Sequence, residues 1–267
     1  MSEPLIPVPF FVVIVGVLGL VVGSFLNVVI HRVPMGMSVV RPGSSCPVCH
    51  SPVRMHDNVP VVSWLLLRGR CRDCAAPIAV RYPLVELATA VLFALSAWRL
   101  GPSVYVGAVL VLTAGAVALF MIDLDHQRLP FSITGLVAVG VVAALAIAAV
   151  TGNAGHVSRA MLSTALWLAV YGGIHLATKG RGMGLGDVAL APVLGLVLGW
   201  SGWGASLVGL LAGFTVGAVG GVGLLVSGRA GARSRVPHGP FLLTGAAVGL
   251  FLGQPLWRDY LQLFGLA

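Results

Sequence analysis

The sequence predicts an all-α polytopic membrane protein with about eight transmembrane helices and one polar cytoplasmic loop between the first and the second. Three observations carry that prediction. Of the 267 residues, 58% are hydrophobic and only 9% charged, whereas a soluble domain carries about 25% charged residues. The apolar residues fall in long runs, and roughly 20 of them cross a hydrocarbon core as a helix. The basic residues gather in a few segments between those runs, as membrane proteins arrange them to fix their orientation.

The first run, at about 7–30, is too long for the apolar core of a secretory signal, and no small-residue cleavage site lies nearby. It reads as a retained span. Further spans are expected near 83–97, 104–122, 131–150, 160–177, 188–200, 204–227 and 240–256, the second and sixth being short. Along the seventh, Gly209, Gly213, Gly217 and Gly221 recur every fourth residue and form a smooth stripe for close helix packing.

Charge sets the expected sidedness. Arg32, Arg41, Arg54, Arg68, Arg70, Arg72 and Arg81 lie in the segment 31–82. Arg128, Lys179, Arg181, Arg229, Arg233 and Arg235 fall on the same side, leaving Arg99, Arg159 and Arg258 on the other. The first group is cytoplasmic by the positive-inside rule, and both termini are extracytoplasmic. This arrangement accounts for the net charge of +8 without a nucleic-acid partner. The expected organisation is a first transmembrane helix at 1–30, a cytoplasmic loop at 31–82 and a transmembrane core at 83–267.

All four cysteines lie in that loop, as Cys46-Pro-Val-Cys49 and Cys71-Arg-Asp-Cys74. Two such pairs let four thiolates surround one tetrahedral ion, so Cys46, Cys49, Cys71 and Cys74 predict a Cys₄ zinc site. A reducing cytosol favours metal over disulfides. Cys49-His50 also fits a haem-attachment signature, but that chemistry belongs outside the cytoplasm and the second pair has no His. A closed Cys₄ site leaves no open position for substrate, so the zinc is structural.

The acids are scarce. Glu86, Asp123, Asp125 and Asp187 alone lie in or beside apolar spans, where an ionisable group is costly and is by default a functional candidate. Asp123 and Asp125 close the third span, but residues two apart on a helix do not face each other. Asp187 opens the sixth span within Gly182-Met-Gly-Leu-Gly-Asp187. Asp123 and Asp187 therefore lie at the cytoplasmic ends of two different helices, where they can form a dyad. Two close carboxylates do not both ionise readily, so one keeps a proton while the other activates a water against a peptide carbonyl. Asp187, at a helix N-terminus, is expected to be the more readily ionised member. A solvated interfacial pair, or a divalent-metal site using Asp123 and Asp125, remains open. Glu86 reads as a helix N-terminal acid paired with an arginine or as part of a second site, and Arg32 as an interfacial anchor.

The motifs together resemble the type IV prepilin peptidases. The resemblance runs through Gly23-Ser-Phe-Leu-Asn-Val-Val-Ile-His-Arg-Val-Pro34, the two cysteine pairs, Pro60-Val-Val-Ser-Trp-Leu-Leu-Leu-Arg-Gly-Arg70, Arg81-Tyr-Pro-Leu-Val-Glu86 and both aspartate motifs. It implies an aspartic endopeptidase of the bacterial inner membrane that removes the short basic leader of prepilins and pseudopilins. It also implies methylation of the new N-terminus with S-adenosylmethionine, a function linked with the cysteine loop. Asp123 and Asp187 match the family's catalytic acids, with Asp125 in support. Two departures are Ala189, where the family commonly has Lys, and Phe131, where it often has Asp. The rival functions are a membrane scaffold with a zinc-clipped docking loop and a magnesium-dependent transferase acting on a lipid phosphate.

Overall fold

The computed structural model describes residues 7–227 and 237–265. Glu3, both chain ends and the loop bearing Arg229, Arg233 and Arg235 lie outside the described residues. The described chain is helical: α1 (Val8–Arg32), the short α2 (Val62–Leu66), α3 (Arg81–Leu100), α4 (Val104–His126), α5 (Phe131–Ala148), α6 (Val157–Ala177), α7 (Leu185–Ser201), α8 (Trp203–Val226) and α9 (Gly239–Leu263). Leaving α2 aside, the eight long helices follow the eight expected spans in order.

By length and composition six stretches suit a membrane crossing, and one of them, Phe131–Ala177, runs for 47 residues. A helix that long would reach about 70 Å, twice the thickness of the hydrocarbon core. Thr151 and Gly152 leave helical geometry and divide it into α5 and α6. The outer faces are apolar: Val13, Val17 and Val21 on α1, and Leu136 and Val139 on α5, are exposed. Such surfaces would be costly in water and are natural against lipid. The protein is a multi-pass membrane protein.

The chain divides into two compact units, Met1–Met121 and Ile122–Ala267. In the first, α1 packs along α3. A Cβ at Gly19 would stand 2.7 Å from the Ala90 Cα, and one at Gly23 2.7 Å from the Glu86 Cα, so the helices meet backbone to backbone. Val15, Phe93 and Ala97 form the apolar centre there, with Phe11, Val12, Leu110 and Ala114 around them. Arg32, at the end of α1, is buried: its guanidinium donates to the Ser38 and Gly43 carbonyls and so fixes the start of the insert. Glu86 is also buried, and its Oε2 accepts the Val61 amide at 2.7 Å. Val61 sits at φ 60°, a region costly for a β-branched residue, and the carboxylate holds that turn in place.

In the second unit α6 packs on α7 and α8 on α9, while α5, α8 and α9 all touch α7. The glycine stripe does what its spacing predicts for three of its four members. A Cβ at Gly209 would lie 2.9 Å from Leu198, and Gly213 and Gly217 face Leu242 and Phe241 of α9. Gly221 faces nothing within 4 Å among the described residues, so the stripe as described ends one turn early.

Candidate active site and metal centre

The candidate metal centre is built in the first unit from two turns of the same design. The Cys46 amide donates to the Ser51 carbonyl and the His50 amide returns to the Cys46 carbonyl; Cys71, Ala75 and Ala76 repeat the pattern. In each, the residue after the second cysteine takes a positive φ, 60° at His50 and 57° at Ala75. One bridge closes each turn, Ser45 with Pro52 and Arg70 with Pro77. The four sulfurs lie within 4.8 Å of one another, with Cys46 and Cys74 3.8 Å apart and Cys49 and Cys71 4.0 Å apart. A tetrahedral zinc with bonds of about 2.3 Å requires sulfurs roughly 3.8 Å apart, so the thiols present fit the ion.

Protonation across the cluster is uneven. The Ser51 hydroxyl and amide pull the Cys49 thiol down to about 6. Cys74 is pushed up to about 12: the Ala76 amide favours its thiolate, but desolvation and bonds shared with the other cysteines outweigh it. Two ion pairs brace the turns, Arg72 with Asp57 at 2.5 Å and Arg54 with Asp73 at 2.8 Å. The Arg72 guanidinium holds the Asp57 carboxyl below its ordinary range.

The second unit holds the acids. Asp123 lies in the last turn of α4 and is buried, whereas Asp125 is exposed. This is the divergence expected of residues two apart on a helix, and it argues against a single ion held by both. Asp187 is the third residue of α7 and is also buried. Its Oδ2 accepts the Gly184 amide at 3.1 Å, folding back onto the residue that opens the helix.

Asp123 has a matching arrangement that sequence reasoning missed. Its Oδ2 accepts the amide of Gly239, the first residue of α9, at 3.0 Å. Each carboxylate therefore rests on the amide end of a helix, where the dipole favours an anion. Leu129 packs between the two helix starts. A Cβ at Gly186 would fall 2.9 Å from the Leu129 Cβ, and one at Gly239 would lie 2.7 Å from Asp123 Oδ2 and 3.1 Å from Leu129. Only glycine admits this approach at both positions. The two aspartates are near enough to interact electrostatically.

Asp187 Oδ1, Tyr171 Oη and His238 Nε2 are buried with no hydrogen-bond partner among the described residues. Neither Tyr171 nor His238 was singled out by sequence. The one signal was a polar-tipped ring inside an apolar span, and a histidine directly before the Gly239-Pro240 helix start.

A family model described as the bacterial peptidase A24 N-terminal domain matches residues 17–100, and one for the type IV leader peptidase family matches residues 110–222. The chain belongs to the type IV leader peptidase family. Among its relatives are three proteins named prepilin leader peptidase/N-methyltransferase. That of Stutzerimonas stutzeri is 38% identical over 94% of each chain. That of Pseudomonas aeruginosa is 37% identical over 96% of this chain and 95% of the relative. The Myxococcus xanthus protein is 41% identical over 95% of this chain and 76% of its own. No solved structure matches the chain.

Proposed function

We propose that this leader peptidase cleaves the basic leader of prepilins and pseudopilins at the cytoplasmic face of the bacterial inner membrane, with Asp123 and Asp187 as its catalytic dyad. The observation that carries the reading is the pair itself: two buried carboxylates on different helices, each on a helix-start amide and near enough to interact electrostatically. Like charges so placed favour one shared proton. Asp187, whose Oδ1 has no partner among the described residues, accepts a proton from the attacking water. Asp123 in its protonated form polarises the scissile carbonyl and later protonates the departing amine. The sidedness follows from the arginine-rich insert 31–82 and its companions.

The same relatives' names support a second activity, methylation of the new N-terminus with S-adenosylmethionine as donor. Residues 31–82 are the proposed seat of that activity and 83–267 that of the peptidase. Cys46, Cys49, Cys71 and Cys74 would hold zinc as a clip for the insert, which is too short for a core of its own.

Expressing the full chain with a prepilin-like substrate tests the dyad. Asp123→Asn and Asp187→Asn should each lower the cleavage rate by at least about a thousandfold, as loss of a member of a catalytic unit does. Asp125→Asn should leave it within a few-fold. Substantial cleavage by either of the first two variants would sink the dyad, and equal loss with Asp125→Asn would favour a metal-dependent reaction.

A further inference from the structure

Tyr171 lies in the middle of α6, fully buried, with its hydroxyl unpaired among the described residues. A buried phenol normally finds a partner, because an unmet hydroxyl is costly. Its ring is held firmly, stacked on Trp167 with centroids 5.9 Å apart and on Phe214 of α8 at 5.3 Å. The stacked ring thus fixes a hydroxyl that is buried and has no partner among the described residues.

Two other unpaired atoms share its neighbourhood. The His238 ring lies 6.0 Å from that of Tyr171 and 6.1 Å from that of Phe214, with Nε2 unpaired among the described residues. The Asp187 carboxylate interacts electrostatically with the Tyr171 phenol, and its Oδ1 is the third unpaired atom. Among them they offer a hydroxyl donor, a carboxylate acceptor and an imidazole nitrogen able to take either role according to tautomer. A peptide backbone presents the matching set, N–H groups and carbonyls along one strand.

Two glycines of α8 stand beside them. A Cβ at Gly213 would lie 3.6 Å from Tyr171 Oη, and one at Gly217 would lie 3.6 Å from His238 Cε1. Either methyl would fit at ordinary contact distance and would cover the polar edge it faces. Two glycines of the α8 stripe therefore place no side chain against those edges, which lie buried between the helices, as well as letting α9 approach.

We propose that Tyr171 and His238 form a backbone-binding subsite for the peptide being cleaved, beside Asp187, with the Tyr171 hydroxyl donating to a substrate carbonyl. The subsite rests on the reading of Asp123 and Asp187 as the peptidase dyad, which delivers the peptide to this place. Its contribution is to seat the chain, so its loss appears as weaker binding at little cost to the fold.

The test separates binding from turnover. A synthetic peptide spanning a prepilin leader junction is titrated against the full-length protein in lipid–detergent micelles, in an Asp187→Asn background that binds but does not cleave. Adding Tyr171→Phe should raise the peptide's Kd about tenfold, and adding Gly213→Ala should raise it similarly. The melting temperature of Tyr171→Phe should stay level or rise, since the substitution removes only an unmet hydroxyl. In the otherwise wild-type enzyme Tyr171→Phe should raise KM more than it lowers kcat, the mark of lost uniform binding. Unchanged peptide affinity in Tyr171→Phe overturns the subsite, as does weakened affinity accompanied by an equal fall in thermal stability. Retained cleavage by Asp187→Asn would instead count against the dyad, leaving the binding comparison to stand on its own.

Discussion

Two buried polar clusters lie one helical turn apart on α6, and they are built on opposite plans. At the first, the Ser163 hydroxyl donates to the Gly195 carbonyl at 2.7 Å and meets the Ser206 hydroxyl at 2.6 Å. The Trp167 indole N–H donates to Ser206 Oγ at 3.0 Å. That network ties α6, α7 and α8 together and is closed. At the second, Tyr171, His238 and Asp187 each keep a buried polar atom without a partner among the described residues. Both clusters stand in the same apolar surroundings, where an unmet polar group is expensive. The contrast separates what holds the helices together from what is kept available to something arriving. It bears on the proposed reactive end of the unit, which the acids alone mark less sharply.

The cysteine cluster joins the closed class once an ion supplies its bonds, and there the largest effect on structure is expected. Metal binding to such a site contributes on the order of 10 kcal/mol or more to the fold around it. Cys49→Ser should reduce zinc content, measured by metal analysis of the purified protein, from one ion per chain to a small fraction. Limited proteolysis should then cut within 45–77, the stretch spanned by the two bridges. A variant that keeps a full equivalent of zinc, or an insert that resists protease without it, would remove the metal from the list of closing elements.

Ser206→Ala gives the intermediate effect and sharpens the comparison directly. The change strands the Trp167 N–H and takes a partner from Ser163, and should destabilise the protein by about 1–3 kcal/mol in thermal or denaturant unfolding. Cleavage per folded molecule should stay within about twofold, because Ser206 is no part of the open cluster. Tyr171→Phe is expected to do the reverse, sparing stability and weakening the peptide. If both variants give the same signature, the distinction between closed and open clusters fails.

Much of this was legible in the sequence, and what was not has physical causes. The eight long helices followed from apolar runs, since length and hydrophobicity are local properties. Their ends were less accurate. The sixth span, read as 188–200, begins at Leu185, because Gly184 opens the helix and brings Asp187 into its first turn. The last, read as ending near 256, continues to Leu263 through Pro255 and the polar residues Arg258 and Asp259, where Trp257 stacks on Tyr260. That Asp123 and Asp125 diverge followed from helix geometry, whereas which of them is buried depends on packing that the sequence does not show. Glu86 was expected to pair with an arginine, and its acceptance of the Val61 amide depends on a fold-back of 25 residues that no pattern announces. The expectation that Asp187 alone benefits from a helix terminus missed Gly239, which lies 116 residues from Asp123. Tyr171 and His238 were invisible for the same reason: an aromatic residue in an apolar span reads as packing until its polar atom is seen to be unmet.

The smallest effect tests whether His238 sits in the open cluster as a neutral ring. Tyr171 of α6, Phe214 and Gly217 of α8 and Phe241 of α9 surround it, and burial holds its imidazole below the ordinary value of 6.5. A basic group with a depressed folded value binds its proton more readily when unfolded, so its linkage favours the folded state less as pH falls. Above about pH 6.5 the ring is neutral in both states and adds nothing. As pH drops through 6.5 toward the lowered folded value, the unfolded chain gains protons first and stability declines. His238→Phe keeps the ring packing and removes that titration. The loss of melting temperature between pH 7.5 and 5.5 should therefore be smaller in the variant than in the wild-type protein, by less than the shift Ser206→Ala causes. Equal losses in the two proteins would mean that the His238 ring takes up its proton as freely when folded as when unfolded, and hence that its surroundings are wet rather than closed around it.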